Sequence, residues 1–491
     1  MPQSIAIVGS GLLGMTLAMR LADDGHKVTI LEASGDIGGL AATWHIGDQI
    51  WDKHYHVTLA SDSYTRKLAE DIGLGDEFRW VETKTGFYTD GRLYSMSDTA
   101  EFLRFPPLGL IDKLRLGATI FYASRVTNWK ELEKVTVEQW LTRLSGKRTF
   151  DKIWRPLLRA KLGDAYRETS AAFIWATIRR MYAARNSGLK REMFGYVRGG
   201  YGAILARLGE ALAGRGVNIA LNSPVETVTR TADGRLRVVL ASARRRKDAK
   251  PRTIGAASKV AAFHASAVAP GFSGAFITEP DPAAPQDNAA SAPQATTFDR
   301  VIVTAASPVA AGMLPQLSAG EHADMAEVRY QGIVCASVLM RCSLSPYYVT
   351  NITDEAPFTG VIEMTAMVDK RELGGNTLIY LPKYASPDDE IFTRTDDEIE
   401  ATFLDALQRM YPHFRRDEVI AFKVSRVKQV FPLPTLNYSA HITGPRTSIE
   451  GVYVVNSSHI TNGTLNVNET VALAENFYRE HFGGDVRDLE R

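Results

Sequence analysis

The residues best suited to chemistry are Gly9, Gly11 and Gly14, followed at a distance by Glu32. Together they could hold a diphosphate and a ribose. The first glycine permits a tight turn, the second lets a phosphate approach the backbone, and the third lets helix and strand pack closely. Leu12 and Leu13 would open a helix whose free N–H groups and positive dipole end face the phosphates. Glu32 could accept hydrogen bonds from both ribose hydroxyls, and its charge would repel a 2′-phosphate. Three glycines alone are weak. Between a strand and a helix, with an acid at this distance, they specify a dinucleotide site.

The flanking elements have the required order. Ile5-Ala6-Ile7-Val8 is an apolar run suited to a buried parallel strand. A helical stretch over residues 12–24 carries apolar Leu13, Leu17 and Leu21, and Gly25 ends it. Lys27-Val28-Thr29-Ile30-Leu31 reads as a second strand closing on Glu32. Ala33 follows, and then Gly38-Gly39-Leu40. A second close backbone approach just after the ribose carboxylate suits a longer cofactor, and this selects FAD over NAD.

This arrangement resembles the flavin amine oxidase superfamily, which includes protoporphyrinogen oxidase, carotenoid desaturases and UDP-galactopyranose mutase. The resemblance implies that Gly9, Gly11, Leu12, Leu13, Gly14, Glu32, Ala33, Gly38, Gly39 and Leu40 bind FAD. Many members carry Arg after the glycine doublet, where this chain has Leu40, so one expected polar contact on the flavin side is missing. The resemblance also implies a discontinuous FAD domain, and later pieces match it. Arg198-Gly199-Gly200-Tyr201-Gly202 leads into a helical stretch ending near Arg215-Gly216, then into strand-like Val217-Asn218-Ile219-Ala220-Leu221. In the resembling proteins the residue at Val225 pairs its backbone with adenine; a plain core strand would look the same. Phe298-Asp299-Arg300-Val301-Ile302-Val303-Thr304-Ala305 reads as a buried strand. Near the end, a strand at Gly451-Val452-Tyr453-Val454-Val455-Asn456 precedes a loop over residues 462–469 and a helix over about 469–480. In relatives this loop and helix start, here with Asn466 and Val467, face the pyrimidine edge of the isoalloxazine. Backbone N–H groups and the helix dipole there stabilise negative charge on the reduced ring.

The expected architecture is α/β: a Rossmann-like FAD-binding domain over residues 1–60, 195–312 and 425–491, with a mixed α+β substrate domain. The substrate domain is mostly helical over 61–194 and an antiparallel sheet over 313–424. Residues 241–297 open with Arg244-Arg245-Arg246-Lys247 and continue rich in Ala, Pro, Ser and Gly, which reads as a loosely packed insertion with a solvated basic run.

His54, Tyr55 and His56 follow the glycine doublet and would pass beside the isoalloxazine, so they are the catalytic candidates. A histidine there could act as acid or base near neutral pH, or be structural. Further phrases are similar to a bacterial and archaeal group of FAD-dependent oxidoreductases called protoporphyrinogen-oxidase-like. They are Asp52-Lys53-His54-Tyr55-His56, Leu103-Arg104-Phe105-Pro106-Pro107-Leu108, Trp154-Arg155-Pro156-Leu157-Leu158, Lys161-Leu162-Gly163-Asp164, Leu344-Ser345-Pro346-Tyr347-Tyr348 and Pro357-Phe358-Thr359-Gly360. Within them and in Val361-Ile362-Glu363, which continues the last, Lys161, Asp164, Tyr347 and Glu363 are lesser substrate-side candidates. Arg155 and Arg159 could pair with an anionic substrate or with neighbouring acids. Residues 113–125 read as an amphipathic helix, either core or a surface for a membrane or lipid substrate.

Composition sets the remaining bounds. At 491 residues the chain is long for one core. Its 45% hydrophobic and 23% charged residues are ordinary for a soluble globular protein, and a net charge of +1 gives no argument for nucleic acid. Cys335 and Cys342, the only cysteines, form no redox pair, and a reducing, cytoplasmic setting is the simplest reading. The first residues lack the basic region of a signal peptide. No apolar stretch reaches the roughly 18 residues of a membrane span, so membrane contact would be peripheral. The sequence has no phosphate loop ending in Gly-Lys-Ser/Thr, no His-Glu-x-x-His and no Cys-x-x-Cys, and no metal is expected. No second strand-linked Gly-x-Gly-x-x-Gly points to a nicotinamide domain. The expected function is an FAD-dependent oxidase, dehydrogenase or desaturase acting on a small molecule, hydrophobic or lipid-linked in character, with oxygen, a quinone or another acceptor. The alternative is a non-redox flavin-dependent mutase of the UDP-galactopyranose mutase type, and a third reading is a structural flavin-binding protein.

Overall fold

The computed structural model describes residues 1–185, 193–241, 252–254 and 295–483. Its first strand, Ser4–Val8, sits in the middle of a six-stranded sheet, between Lys27–Leu31 and Arg300–Val303. Asn218–Leu221 and Val452–Val454 extend the parallel order on either side. Ile5 to Val8 can all be apolar because both faces of the sheet are covered. One face meets three helices, Leu12–Asp23, Gly200–Gly214 and Val467–Phe482. The other meets a three-stranded antiparallel sheet of Val225–Arg230, Leu236–Leu240 and Ala295–Phe298.

Two expectations change here. The strand expected over 298–305 is shorter, because Phe298 belongs to the antiparallel sheet and Asp299 turns the chain by accepting from the Ser4 N–H (2.7 Å) and hydroxyl (2.8 Å). Most of the expected insertion, 241–297, lies outside the described residues, including the basic run at 244–247. Within it, Arg252–Ile254 forms an antiparallel edge strand against Asn218–Leu221.

A second, seven-stranded sheet carries Tyr330–Met340 near one edge, between Val419–Pro432 and Thr377–Ala385. Every residue of Tyr330–Met340 is buried, since the sheet packs against helix Asp396–Met410 on one side and the hairpin of Thr43–Ile46 and Gln49–Asp52 on the other. Val419–Pro432 runs as one strand across position 424. A helical layer completes the molecule, with Trp140, Trp154 and Trp175 buried in its core.

Candidate active site

The nucleotide end is built from glycines that tolerate no side chain. Gly9 adopts φ +109°, and a Cβ there would lie 2.5 Å from Thr304 Oγ1. At Gly14 a Cβ would lie 2.2 Å from the Gly9 carbonyl oxygen and 3.2 Å from Ile7 Cγ2. Gly11 differs, because a Cβ there would meet nothing within 4 Å. It caps helix Leu12–Asp23, which has no side-chain cap and no acid in its first turn, so its end is open to an anion. The glycine doublet closes over this loop. Gly38 donates its N–H to the Ser10 carbonyl (2.9 Å), and a Cβ on Gly39 would stand 3.3 Å from Gly11 Cα. Glu32 is fixed by four donors: Ser10 N–H (2.8 Å) and hydroxyl (2.7 Å) on one oxygen, Ser34 N–H and hydroxyl (both 2.8 Å) on the other. These residues fit the adenosine diphosphate half of FAD.

A hairpin, Thr43–Ile46 with Gln49–Asp52, delivers the next segment. Asp52 anchors it by accepting from the Tyr201 N–H (3.0 Å) at the start of helix Gly200–Gly214, while its carbonyl accepts from the Tyr380 hydroxyl (2.7 Å). Burial pushes the Asp52 carboxyl up to about 7. His54 Nδ1 lies 3.0 Å from the Leu40 carbonyl, which can only accept. Nδ1 therefore carries the hydrogen, and Nε2 accepts from the Ser425 hydroxyl at 3.1 Å. His56 Nδ1 donates likewise to the His54 carbonyl (3.0 Å). Burial lowers His54, and burial with the neighbouring His54 pushes His56 down to about 3. Among the described residues neither ring has a carboxylate partner, so loss of water leaves both imidazoles neutral near neutral pH.

Tyr55 and Tyr384 bring their hydroxyls to 2.8 Å. Burial pushes Tyr55 up to about 12 and raises Tyr384 well above the ordinary phenol value, so both remain neutral phenols. Lys161 stands over the Tyr384 ring, Nζ 3.7 Å from its centroid, and 5.1 Å from that of Phe431. Among the described residues no carboxylate pairs with it, and loss of water pushes its ammonium down to about 7.

One cavity of about 520 Å³ joins the two ends. Gly9, Gly11, Leu12, Leu13, Glu32, Gly38, Gly39 and Leu40 line it, as do His54, Tyr55, His56, Asn466 and Val467. Gly14, Ala33 and Val225 do not. Gly14 is the packing contact described above, Ala33 is exposed, and Val225 is buried in a core with Val8 and Leu31. Of the lesser candidates only Lys161 reaches the cavity. Asp164 pairs with Arg159 (3.3 Å) and Arg155 with Asp151, while Glu363 accepts from the Leu344 and Ser345 N–H groups (3.1 and 3.0 Å). Sequence reasoning missed Thr304, Asn456, Arg180 and Tyr384 on the wall. Thr304 and Asn456 follow the carboxyl ends of parallel strands, where the crevice of such a sheet forms, and that rule could have found them. Arg180, bonded to Asp62 (2.8 Å), and Tyr384 have no local signal.

Comparison with known proteins identifies the family. The sequence pattern of the family described as flavin containing amine oxidoreductase matches residues 14–257 and 286–466. A 15-cis-phytoene desaturase from Glycine max is 31% identical over 128 residues, 26% of this chain and 22% of that protein. A zeta-carotene desaturase from Synechocystis is 26% identical over 204 residues, 37% of this chain and 42% of that protein. The matched stretch therefore spans under a quarter of the first relative and under half of the second. A candidate protoporphyrinogen oxidase from Exiguobacterium has the same fold, with TM-score 0.67 at 17% identity over 97% of this chain and 98% of that one.

Proposed function

The chain belongs to the flavin containing amine oxidoreductase family, and from that premise we propose that it oxidises a small, largely apolar organic substrate as an FAD-dependent oxidase, dehydrogenase or desaturase. The carrying observation is the continuous cavity of about 520 Å³ from Glu32 and the glycine loop to Tyr55, His56, Lys161 and Tyr384. When bound, FAD supplies the acceptor for a hydride. The chain's own groups position and protonate. Gly9, Gly11, Leu12 and Leu13 would hold the diphosphate at the helix start and Glu32 the ribose. Gly38, Gly39 and Leu40 continue the wall, and the N–H groups beginning at Asn466 and Val467 would oppose negative charge on the ring.

Toward the substrate, Tyr55 and Tyr384 offer neutral hydroxyls, and His56 offers a ring held by its own backbone contact. Neutral Lys161 can take the proton a substrate releases as it loses a hydride. Ile333, Val430 and Leu465 on the wall exclude water. An apolar substrate suits these side chains, and the phytoene and zeta-carotene desaturases matched above are named for such compounds.

Anaerobic titration of the purified holoenzyme with polyprenoids, porphyrinogens, amines and nucleotide sugars tests the reading. Bleaching of the flavin by an apolar member of the panel is the expected result. A flavin that stays oxidised throughout would overturn it, as would turnover of a nucleotide sugar only by prereduced protein with no reductant consumed.

A further inference from the structure

Helix Leu110–Arg125 lies with its apolar side outward. It buries Lys113, Leu116, Thr119 and Ala123, while Leu110, Ile111, Leu114, Phe121 and Tyr122 are 67, 71, 62, 55 and 52% exposed. These positions fall on one stripe at helical spacing. Leu103, 51% exposed, belongs to helix Thr99–Arg104, whose end is tied to the stripe's helix by Lys113 Nζ donating to the Leu103 carbonyl (2.7 Å). Single exposed leucines are ordinary; a contiguous apolar stripe on a helix marks a partner.

The surrounding charge selects that partner. Arg104, Arg115 and Arg125 are exposed on the two helices, and the side chains of Lys147 and Arg148 on the adjoining turn are 75 and 74% exposed. Arg125 places its guanidinium 5.0 Å over the Phe121 ring, level with the stripe itself. Asp112 offsets Arg148 (3.5 Å) and Asp151 offsets Lys147 (2.7 Å), while Glu101 accepts from the Ser95 hydroxyl (2.6 Å) and Ser97 N–H (2.8 Å), so Arg104, Arg115 and Arg125 carry the positive charge of this face. A second copy of this chain docking stripe to stripe would set like charges against each other. We propose that this face docks on an anionic phospholipid bilayer, with the apolar stripe at the acyl-chain boundary and the arginines at the phosphates. Among the described residues no helix is long and apolar enough to cross a membrane, so the contact is interfacial. The buried side of the same helix shares a core with Leu158, Leu162 and Phe431, against which the cavity-wall residues Tyr384, Val430 and Leu465 pack.

Flotation of the holoenzyme with vesicles tests this without any substrate. The protein should float with vesicles of equal parts phosphatidylcholine and phosphatidylglycerol, and less with phosphatidylcholine alone. Ile111→Gln with Leu114→Gln, both surface positions, should keep the flavin content and melting temperature yet lower the partition coefficient by about tenfold or more. Arg104→Gln with Arg125→Gln should abolish the preference for the anionic lipid. Wild-type protein that stays unbound in the mixed vesicles would overturn the proposal. So would lipid-free dimers that the Ile111→Gln and Leu114→Gln pair converts to monomers.

Discussion

The phenolic oxygens of Tyr55 and Tyr384 stand 2.8 Å apart, joining the segment after the N-terminal hairpin to the strand Thr377–Ala385. Each is the other's partner, so removing one hydroxyl strands its mate. Tyr55→Phe or Tyr384→Phe alone should cost about 1 kcal/mol of stability, read as a lower denaturant midpoint. The double substitution should cost less than the sum of the two, by about 0.5 kcal/mol or more. Strict additivity would mean that the two hydroxyls do not depend on one another.

Gly11 and Gly14 share one motif and should fail in different ways. An alanine Cβ at position 14 would press to 2.2 Å from the Gly9 carbonyl oxygen, so Gly14→Ala should cost about 1–3 kcal/mol or more and lose FAD with the fold. At position 11 the Cβ meets no protein atom within 4 Å, so Gly11→Ala apoprotein should melt like wild type. Its FAD affinity should nevertheless fall by about tenfold or more, because the backbone approach is blocked. Apoprotein melting and flavin titration separate the two. Equal destabilisation by both substitutions would contradict the assignment of Gly11 to the diphosphate.

That contrast also explains what could be read from the sequence. Residues 4–32 act through their own backbone: a strand, a turn, a helix start and a strand end follow in one unbroken segment, so residue type and spacing were enough. Lys161 and Tyr384 come together only because helix Arg155–Leu162 packs on a strand more than two hundred positions later, and no local pattern encodes that. His54 and His56 were legible as positions, but their protonation was not. Their protonation depends on the Leu40 carbonyl, on Ser425 and on the loss of water, which residue type alone does not carry.

Asp52 and His56 should bend the pH dependence of stability in opposite directions. Asp52 is pushed up from 3.8 to about 7 by burial, so the native state binds its proton over that window. Its contribution is present below 3.8 and is lost as pH rises through 7. His56 is pushed down from 6.5 to about 3, so the unfolded state binds the extra proton. Its contribution is present above 6.5 and is lost as pH falls through 3. Where the windows overlap the slopes oppose, each at most about 1.4 kcal/mol per pH unit. Urea midpoints measured across the overlap should therefore rise more steeply with pH in Asp52→Asn than in wild type, and less steeply in His56→Gln. Curves parallel to wild type would show that neither group is desolvated as described.

Lys161 should set the pH dependence of the reaction. Its amine is neutral above about 7 and would then accept the substrate's proton, so kcat/KM should rise with pH through that value. Lys161→Met should abolish the rising limb and lower the rate at high pH by about a hundredfold or more. Lys161→Arg, charged at every working pH, should be slow throughout. Stability separates this from a packing defect. The native lysine releases its proton from about 7 upward while the unfolded one holds it to 10.5, so below 7 a buried charge is retained at a cost. Lys161→Met should then melt at or above the wild-type temperature at pH 6, even as activity falls. A rising limb that survives in Lys161→Met would place the base on another residue.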